Sequence, residues 1–273
     1  MSSVSLLSPC PVPSGYSVAP LEAGDAQGAI RALHEKGFAL LRGVYDQTAV
    51  KTLREAVCDL EFTPPADVVH QNHVLYTTIF NRDPRFLAAL DPQGVIEVIE
   101  AAVGEDCHLV NQKAWRALPG HQPGPLHSDA LFVPMPEELC TDTRWQPTIF
   151  IVSALTYLDD IDAELSPTVV VPGSHRSGRC PHHGETSWRG NQAQAILCRA
   201  GDVVMFRCEL WHSGSPNQTA DRTRHVIETA YGQRTIAQKF WPYVNFRHEP
   251  SILSAANPRQ RRLMGEHPLS NYG

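Results

Sequence analysis

Apolar positions change their spacing partway along this chain. Between residues 26 and 36 they recur at helical intervals, with Ala29, Ile30 and Leu33 on one face, and Gly37 follows as a stop. The run FALLRGV from Phe38 predicts a buried strand. Asp46 and Thr48 are candidate N-caps for a second helix through Val50, Leu53, Val57 and Leu60. Residues 62–82 follow neither period and carry Pro64, Pro65, His70, His73, Tyr76 and Phe80. A structureless stretch of that length in a compact domain is expected to be a lid or binding segment. Shorter helical patterns follow around residues 85–90 and 94–103. From Cys107 the texture becomes that of strands: CHLVNQKAWRAL, TIFIVSALTYL, TVVVPG, DVVMFRC and RHVIETAYG are β-branched and aromatic, with turn residues between them. Such a series predicts an antiparallel sandwich or barrel. With no internal repeat and no second hydrophobic core, residues 1–273 read as one domain: an extended arm over 1–25, a strand-rich core over 107–232 and a polar tail over 243–273 that wraps the outside.

Composition narrows the class. The 273 residues are 42% hydrophobic and 19% charged, ordinary for a globular protein, and the formal net charge is −6. No basic run exists to track a phosphate backbone, so nucleic acid and anionic membrane are not expected partners. No apolar stretch is long enough to span a bilayer, and the first residues lack the basic and apolar regions of a secretory leader. The seven cysteines are scattered, with no CxxC pair, which predicts reduced thiols in a cytoplasmic protein. A homodimer is a base-rate expectation only.

The segment LHSDALF sets His127 and Asp129 at positions i and i+2, which share one face of a strand. An imidazole and a carboxylate so placed can reach one metal ion. A further ligand must come from elsewhere, and LWHSGSPN supplies His212 just after the strand DVVMFRC. Two imidazoles and one carboxylate on one side of an octahedral ion leave positions open for a chelating co-substrate and O2, which suits Fe(II). After His212, Arg222 and Arg224 flank the turn into the next strand. A guanidinium pointing into the barrel matches the distal carboxylate of 2-oxoglutarate with parallel hydrogen bonds. Arg224 stands at the strand entrance, whereas Arg222 reads as a solvated turn residue. In VVVPGSHR, Pro172 and Gly173 make a tight turn before Ser174 and His175.

Taken together in this order, these residues resemble the phytanoyl-CoA dioxygenase-like branch of the Fe(II)/2-oxoglutarate oxygenases. The resemblance covers residues 111–232, with weaker similarity in the N-terminal helices. It implies an α+β protein with a mainly β core, a double-stranded β-helix (a cupin-like jelly roll) with N-terminal helices packed outside. It implies His127, Asp129 and His212 as iron ligands and catalytic centre, Arg224 as the 2-oxoglutarate anchor, and Gln112 on the strand NQKAW as a polar contact to the co-substrate. Fe(II), 2-oxoglutarate and O2 would oxidise, most simply hydroxylate, a C–H bond of a small metabolite or natural-product intermediate. The chain departs from the family where DAELSPTVVVPGSH lacks the usual Asn-Gly turn. Halogenases of this group replace the carboxylate ligand by a small residue, so the presence of Asp129 points to hydroxylation.

Competing readings are weaker. His183-Gly184-Glu185 is a second His-x-carboxylate, and Cys180 with His182 and His183 has a zinc-like look, but both lie in a polar loop without a strand's fixed geometry. Tyr157, Trp211, Tyr231 and Trp241 can pack in the core or line a pocket. Cys208 reads as a core thiol. A cupin-like isomerase or lyase without 2-oxoglutarate, and a non-catalytic small-molecule-binding barrel, are the alternatives from other classes; the first has no use for Arg224 and the second has no use for the ligands.

Overall fold

The computed structural model describes residues 18–70, 72–131, 134–144 and 146–267. Its strands in chain order are β1 (Leu21–Glu22), β2 (Phe38–Arg42), β3 (Val68–His70), β4 (His73–Thr77), β5 (His108–Ala117), β6 (Ile151–Tyr157), β7 (Thr168–Val170), β8 (Ser187–Trp188), β9 (Asn191–Gln192), β10 (Gln194–Ile196), β11 (Val203–Arg207), β12 (His212–Ser213) and β13 (Arg224–Gly232). The helices are α1 (Ala26–Glu35), α2 (Gln47–Cys58), α3 (Ile96–Val103), α4 (Glu137–Cys140), α5 (Pro250–Ala255) and α6 (Pro258–Leu263). Among these residues no helix is long and apolar enough to cross a membrane.

Eight strands form the major sheet in the order β1-β2-β11-β6-β13-β5-β4-β3, and β10-β7-β12 form a smaller one. The fold is the expected jelly roll with helices on its outside. Strand alternation divides the major sheet into two buried faces. Ala39, Leu41, Ala154, Val203, Met205 and Ile227 pack with Leu33, Leu53 and Val57 of α1 and α2. Leu40, Leu155, Tyr157, Val204, Phe206 and Val226 pack with Val170 and Ile196 of the small sheet. Burying each Leu, Ile or Val contributes about 1.5–3 kcal/mol relative to leaving it exposed, so a sheet apolar on both faces is stable only when covered on both.

Both long helices begin where the sequence places them. The Asp46 side chain accepts the Ala49 N–H at the start of α2, and Asp25 accepts the Gly28 N–H at the start of α1. Gly37, at φ +86°, ends the first helical segment and turns the chain into β2. Residues 85–90, read as helical, form a 3₁₀ turn over Pro84–Ala89.

Two expectations need correction. The sheet takes β1, β2, β3 and β4 from outside residues 107–232, because β1 pairs with β2, β2 with β11 and β4 with β5. Residues 62–82 are not irregular throughout: they contain the β3–β4 hairpin at the sheet edge. Asp67 braces that hairpin, accepting from Arg82 and from the Thr63 and Thr77 N–H groups. The polar tail packs α5 and α6 against the main core through Ile252 and Leu263.

Candidate metal centre and co-substrate pocket

His127 and His212 face each other as an antiparallel bridge. The His127 N–H donates to His212 O at 3.0 Å and the His212 N–H donates to His127 O at 2.9 Å. Two residues on, the Asp129 N–H donates to Cys208 O at 2.9 Å, which docks the His127–Asp129 segment onto the chain between β11 and β12. One donor atom from each of His127, Asp129 and His212 lies within 4.8 Å of the others, and this is the group of three or more such side chains found among the described residues. Nε2 of His127 stands 3.9 Å and Nε2 of His212 3.7 Å from Asp129 Oδ1.

The donor set suits a divalent metal. Nδ1 of His127 is 3.1 Å from Pro125 O, and Nδ1 of His212 is 2.9 Å from Leu210 O. A carbonyl only accepts, so each Nδ1 carries the proton and each Nε2 keeps its lone pair for an ion. Partial desolvation, then the neighbouring His212 ring, hold the His127 imidazole below its ordinary value and keep it neutral. Phe206 packs on the His212 ring with centroids 4.4 Å apart. His212 is buried, while His127 and Asp129 are exposed at the rim.

These side chains border a cavity of about 650 Å³ between the two sheets. Arg224 lines the same cavity from the first position of β13 and is 3% exposed. One Nη donates to Ser166 O, while its Nε is buried without a hydrogen-bond partner. The missing Asn-Gly turn is replaced here. Asp162 accepts the Glu164 and Leu165 N–H groups, and Ser166 adopts φ +50°, which presents its carbonyl to Arg224. Gly173 of the PGSHR turn takes φ +80°, and Ser174 Oγ accepts the Trp211 N–H at 2.9 Å, next to His212.

Gln112 is placed elsewhere. Its amide donates to Phe86 O and Thr229 Oγ1 on the helical side of the sheet, and it does not border the cavity. The register between β5 and β13 shifts at Ala230/Tyr231, which leaves Val110 as an extra residue on β5. A bulge of this kind re-aims side chains, and Val110, Asn111, Lys113 and Trp115 are the β5 residues in the cavity wall. A sequence pattern shows alternation but not its phase across a bulge. Tyr157, Trp211 and Tyr231 are core residues, and Trp241 is 38% exposed outside the cavity. No described residue of 62–82 lines it; Thr235, Ile236, Ala237 and Lys239 do, and the sequence held no signal for them. Lys113 and Glu228 form a charged pair in the wall, Nζ to Oε2 at 3.6 Å, with Ser153 donating to Glu228 Oε1 at 3.0 Å. Glu185 is engaged by Arg179 at 2.7 Å, which leaves the His183/Glu185 loop an ion-paired surface feature.

A jelly roll with a His-x-Asp…His cluster and a buried arginine in one cavity defines the class of non-haem iron, 2-oxoglutarate-dependent oxygenases. The family model for phytanoyl-CoA dioxygenase (PhyH) matches residues 33–226, and the chain belongs to that family, whose members use Fe(II), 2-oxoglutarate and O2. The uncharacterised proteins Mb1539 of Mycobacterium bovis and Rv1501 of Mycobacterium tuberculosis are each 21% identical over 242 residues, 86% of this chain and 84% of theirs. The crystal structure of HygX from Streptomyces hygroscopicus, with nickel and 2-oxoglutarate bound, superimposes with a TM-score of 0.61 at 18% identity, covering 78% of this chain and 89% of that one. The carbocyclase SnoK from nogalamycin biosynthesis superimposes with a TM-score of 0.57 at 19% identity, covering 79% and 87%. The epimerase SnoN from the same biosynthesis gives 0.58 at 18% identity, covering 77% and 83%.

Proposed function

We propose that this chain hydroxylates a C–H bond of a small, polar metabolite or natural-product intermediate, with Fe(II) held by His127, Asp129 and His212 and 2-oxoglutarate anchored by Arg224. The observation that carries this reading is the convergence of those side chains on one cavity. When bound, iron with 2-oxoglutarate and O2 supplies an oxidant for an unactivated C–H bond.

The chain's own residues do the rest. His127, Asp129 and His212 would supply two imidazole nitrogens and one carboxylate to the ion, a donor set that suits Fe(II). Arg224 offers a charge-assisted fork for a carboxylate, and its unpartnered Nε is a donor that such a ligand satisfies. Ile151, Leu155 and Phe206 line the wall and exclude water. Glu228, 5% exposed, keeps Oε2 without a hydrogen bond, and Asn111 Oδ1 is in the same condition. Acceptors so placed, with the Lys113 and Lys239 ammonium groups in the wall, favour a substrate rich in hydroxyl or amino groups over a hydrocarbon chain. Asp129 fills the ligand position that a halide would need, which favours hydroxylation over halogenation.

The test is anaerobic addition of Fe(II) and 2-oxoglutarate, followed by O2 and assay of succinate. Wild type is expected to show a visible absorption band that requires both additions, and to form succinate. Asp129→Ala is expected to lose both. Arg224→Ala is expected to lose the band at 2-oxoglutarate concentrations that saturate wild type, by about 10–100-fold in affinity. Activity that survives Arg224→Ala undiminished would mean metal chemistry without 2-oxoglutarate.

A further inference from the structure

A second cleft, of about 570 Å³, opens where α2, the start of β13 and the turn after β6 meet, and it shares no lining residue with the metal cavity. It holds a cysteine, a histidine and an aspartate in line. Cys58 is the last residue of α2 and is exposed, whereas His225 is 3% exposed. Nε2 of His225 lies 3.8 Å from Cys58 Sγ, and Nδ1 lies 2.9 Å from Asp159 Oδ2. The same Asp159 oxygen accepts the His225 backbone N–H at 2.6 Å, and Oδ1 accepts from Arg54 Nε at 3.0 Å. Burial by itself would raise the Asp159 carboxyl, but the contacts from His225 and Arg54 outweigh it and hold it below its ordinary value.

An ionised Asp159 keeps the imidazole proton on Nδ1 and turns the Nε2 lone pair toward the thiol S–H. Strand alternation permits this: Arg224 faces the metal cavity, and His225, the next residue, faces the cleft. The other charged residues lining the cleft are three arginines and two aspartates. Arg54 sits one turn before Cys58 on α2 and Arg116 reaches in from β5. Asp160 follows β6, and Asp221 and Arg222 precede β13. Of the other described cysteines, Cys180 is exposed, while Cys107, Cys140, Cys198 and Cys208 are buried and burial raises their thiols.

We propose that Cys58 is a modification site that exchanges with small-molecule disulfides, with His225 as its general base and Asp159 as the residue that positions His225. The Cys58 thiol gives its proton to Nε2, and the sulfur attacks one sulfur of the reagent disulfide. That S–S bond breaks, its electron pair leaves on the departing thiolate, and the imidazolium returns the proton to it. The protein sulfur is oxidised to a mixed disulfide and one equivalent of small thiol is released.

The experiment exposes the full-length protein to glutathione disulfide and follows labelling of each cysteine by peptide mass mapping. At pH 7, Cys58 is expected to label at least about tenfold faster than Cys180, and His225→Gln to slow it by about 10–100-fold. That gap is expected to narrow as pH rises, because hydroxide then takes the place of the imidazole base. Asp159→Asn reads the same pH-dependent gap should His225→Gln fail to fold. Equal labelling of Cys58 and Cys180, or a variant effect that does not change with pH, overturns the assignment.

Discussion

Arg224 shows how a single side chain can be unfavourable for the fold and still be retained. Burial lowers its tendency to stay charged, and only one of its donor directions is shown to be met, by Ser166 O. A guanidinium with an unpartnered buried nitrogen costs free energy until a ligand carboxylate arrives. Arg224→Met, similar in length and without a charge, is therefore expected to leave the thermal midpoint of the ligand-free protein no lower than wild type. It should also remove the rise in that midpoint that 2-oxoglutarate gives the metal-loaded wild type. Differential scanning calorimetry with and without co-substrate reads both. A large drop in the ligand-free midpoint would mean that Arg224 serves the fold rather than a ligand. His127, Asp129, His212 and Arg224 were legible as candidates from the order of motifs, but the strand expected under His127 and Asp129 is a single bridged pair at His127 and a bend at Asp129, so pairing with His212 and Cys208 brings them together. Gln112 was not, because the bulge at Val110 sets which β5 side chains face inward.

At the scale of elements, the junction between α1 and β2 supports the metal centre from a distance. Gly37 approaches both the PGSHR turn and the chain before His212. A Cβ there would stand 2.6 Å from His175 Nδ1 and 2.7 Å from Leu210 Cδ1. The Lys36 carbonyl accepts the Gly173 N–H, and the Gly37 carbonyl accepts the Arg207 N–H. Leu210 in turn supplies the carbonyl that fixes the His212 tautomer. Gly37→Ala is expected to cost about 1–2 kcal/mol of backbone strain and a further 1–3 kcal/mol of overpacking, each an order-of-magnitude figure. Because the clash meets Leu210, metal affinity is expected to fall together with stability. Isothermal titration with Fe(II) or Ni(II) under anaerobic conditions measures it, and a variant that loses stability but keeps wild-type metal affinity would break that link. The sequence marked Gly37 as a helix stop; what it stops against is set by a turn far along the chain.

For the whole molecule, acid stability follows from a buried and a half-buried histidine held as neutral rings. Burial, then the charges of His121 and Arg224, push His73 down to about 3. Burial, then Arg207, push His175 down to about 3. The unfolded chain protonates such rings near pH 6.5, so their contribution to stability is complete above that value and is lost as pH falls toward 3. Each ring adds about 1.4 kcal/mol per pH unit within that window. Urea unfolding between pH 7 and 5 is expected to show stability falling on acidification, and His73→Gln to reduce the slope by about one proton. An unchanged slope in that variant would mean that the His73 ring is already charged in the fold.

The chain by itself determined its periods and its candidate chemistry. Helical spacing and alternation are local properties, carried by neighbours a few positions apart, and the candidate metal and carboxylate-binding residues are marked by the order of their motifs along the chain. What the tertiary structure decided is phase and company. It fixed which face of β5 meets the cavity, because that depends on a bulge against β13. It made Ser166 the partner of Arg224, because a left-handed residue there turns a carbonyl inward. It set an edge hairpin where a lid was expected, because β4 finds a partner in β5. It also brought Cys58, Asp159 and His225 together from three separate segments. Long-range pairing places such groups, and no spacing along the chain encodes the distances between them.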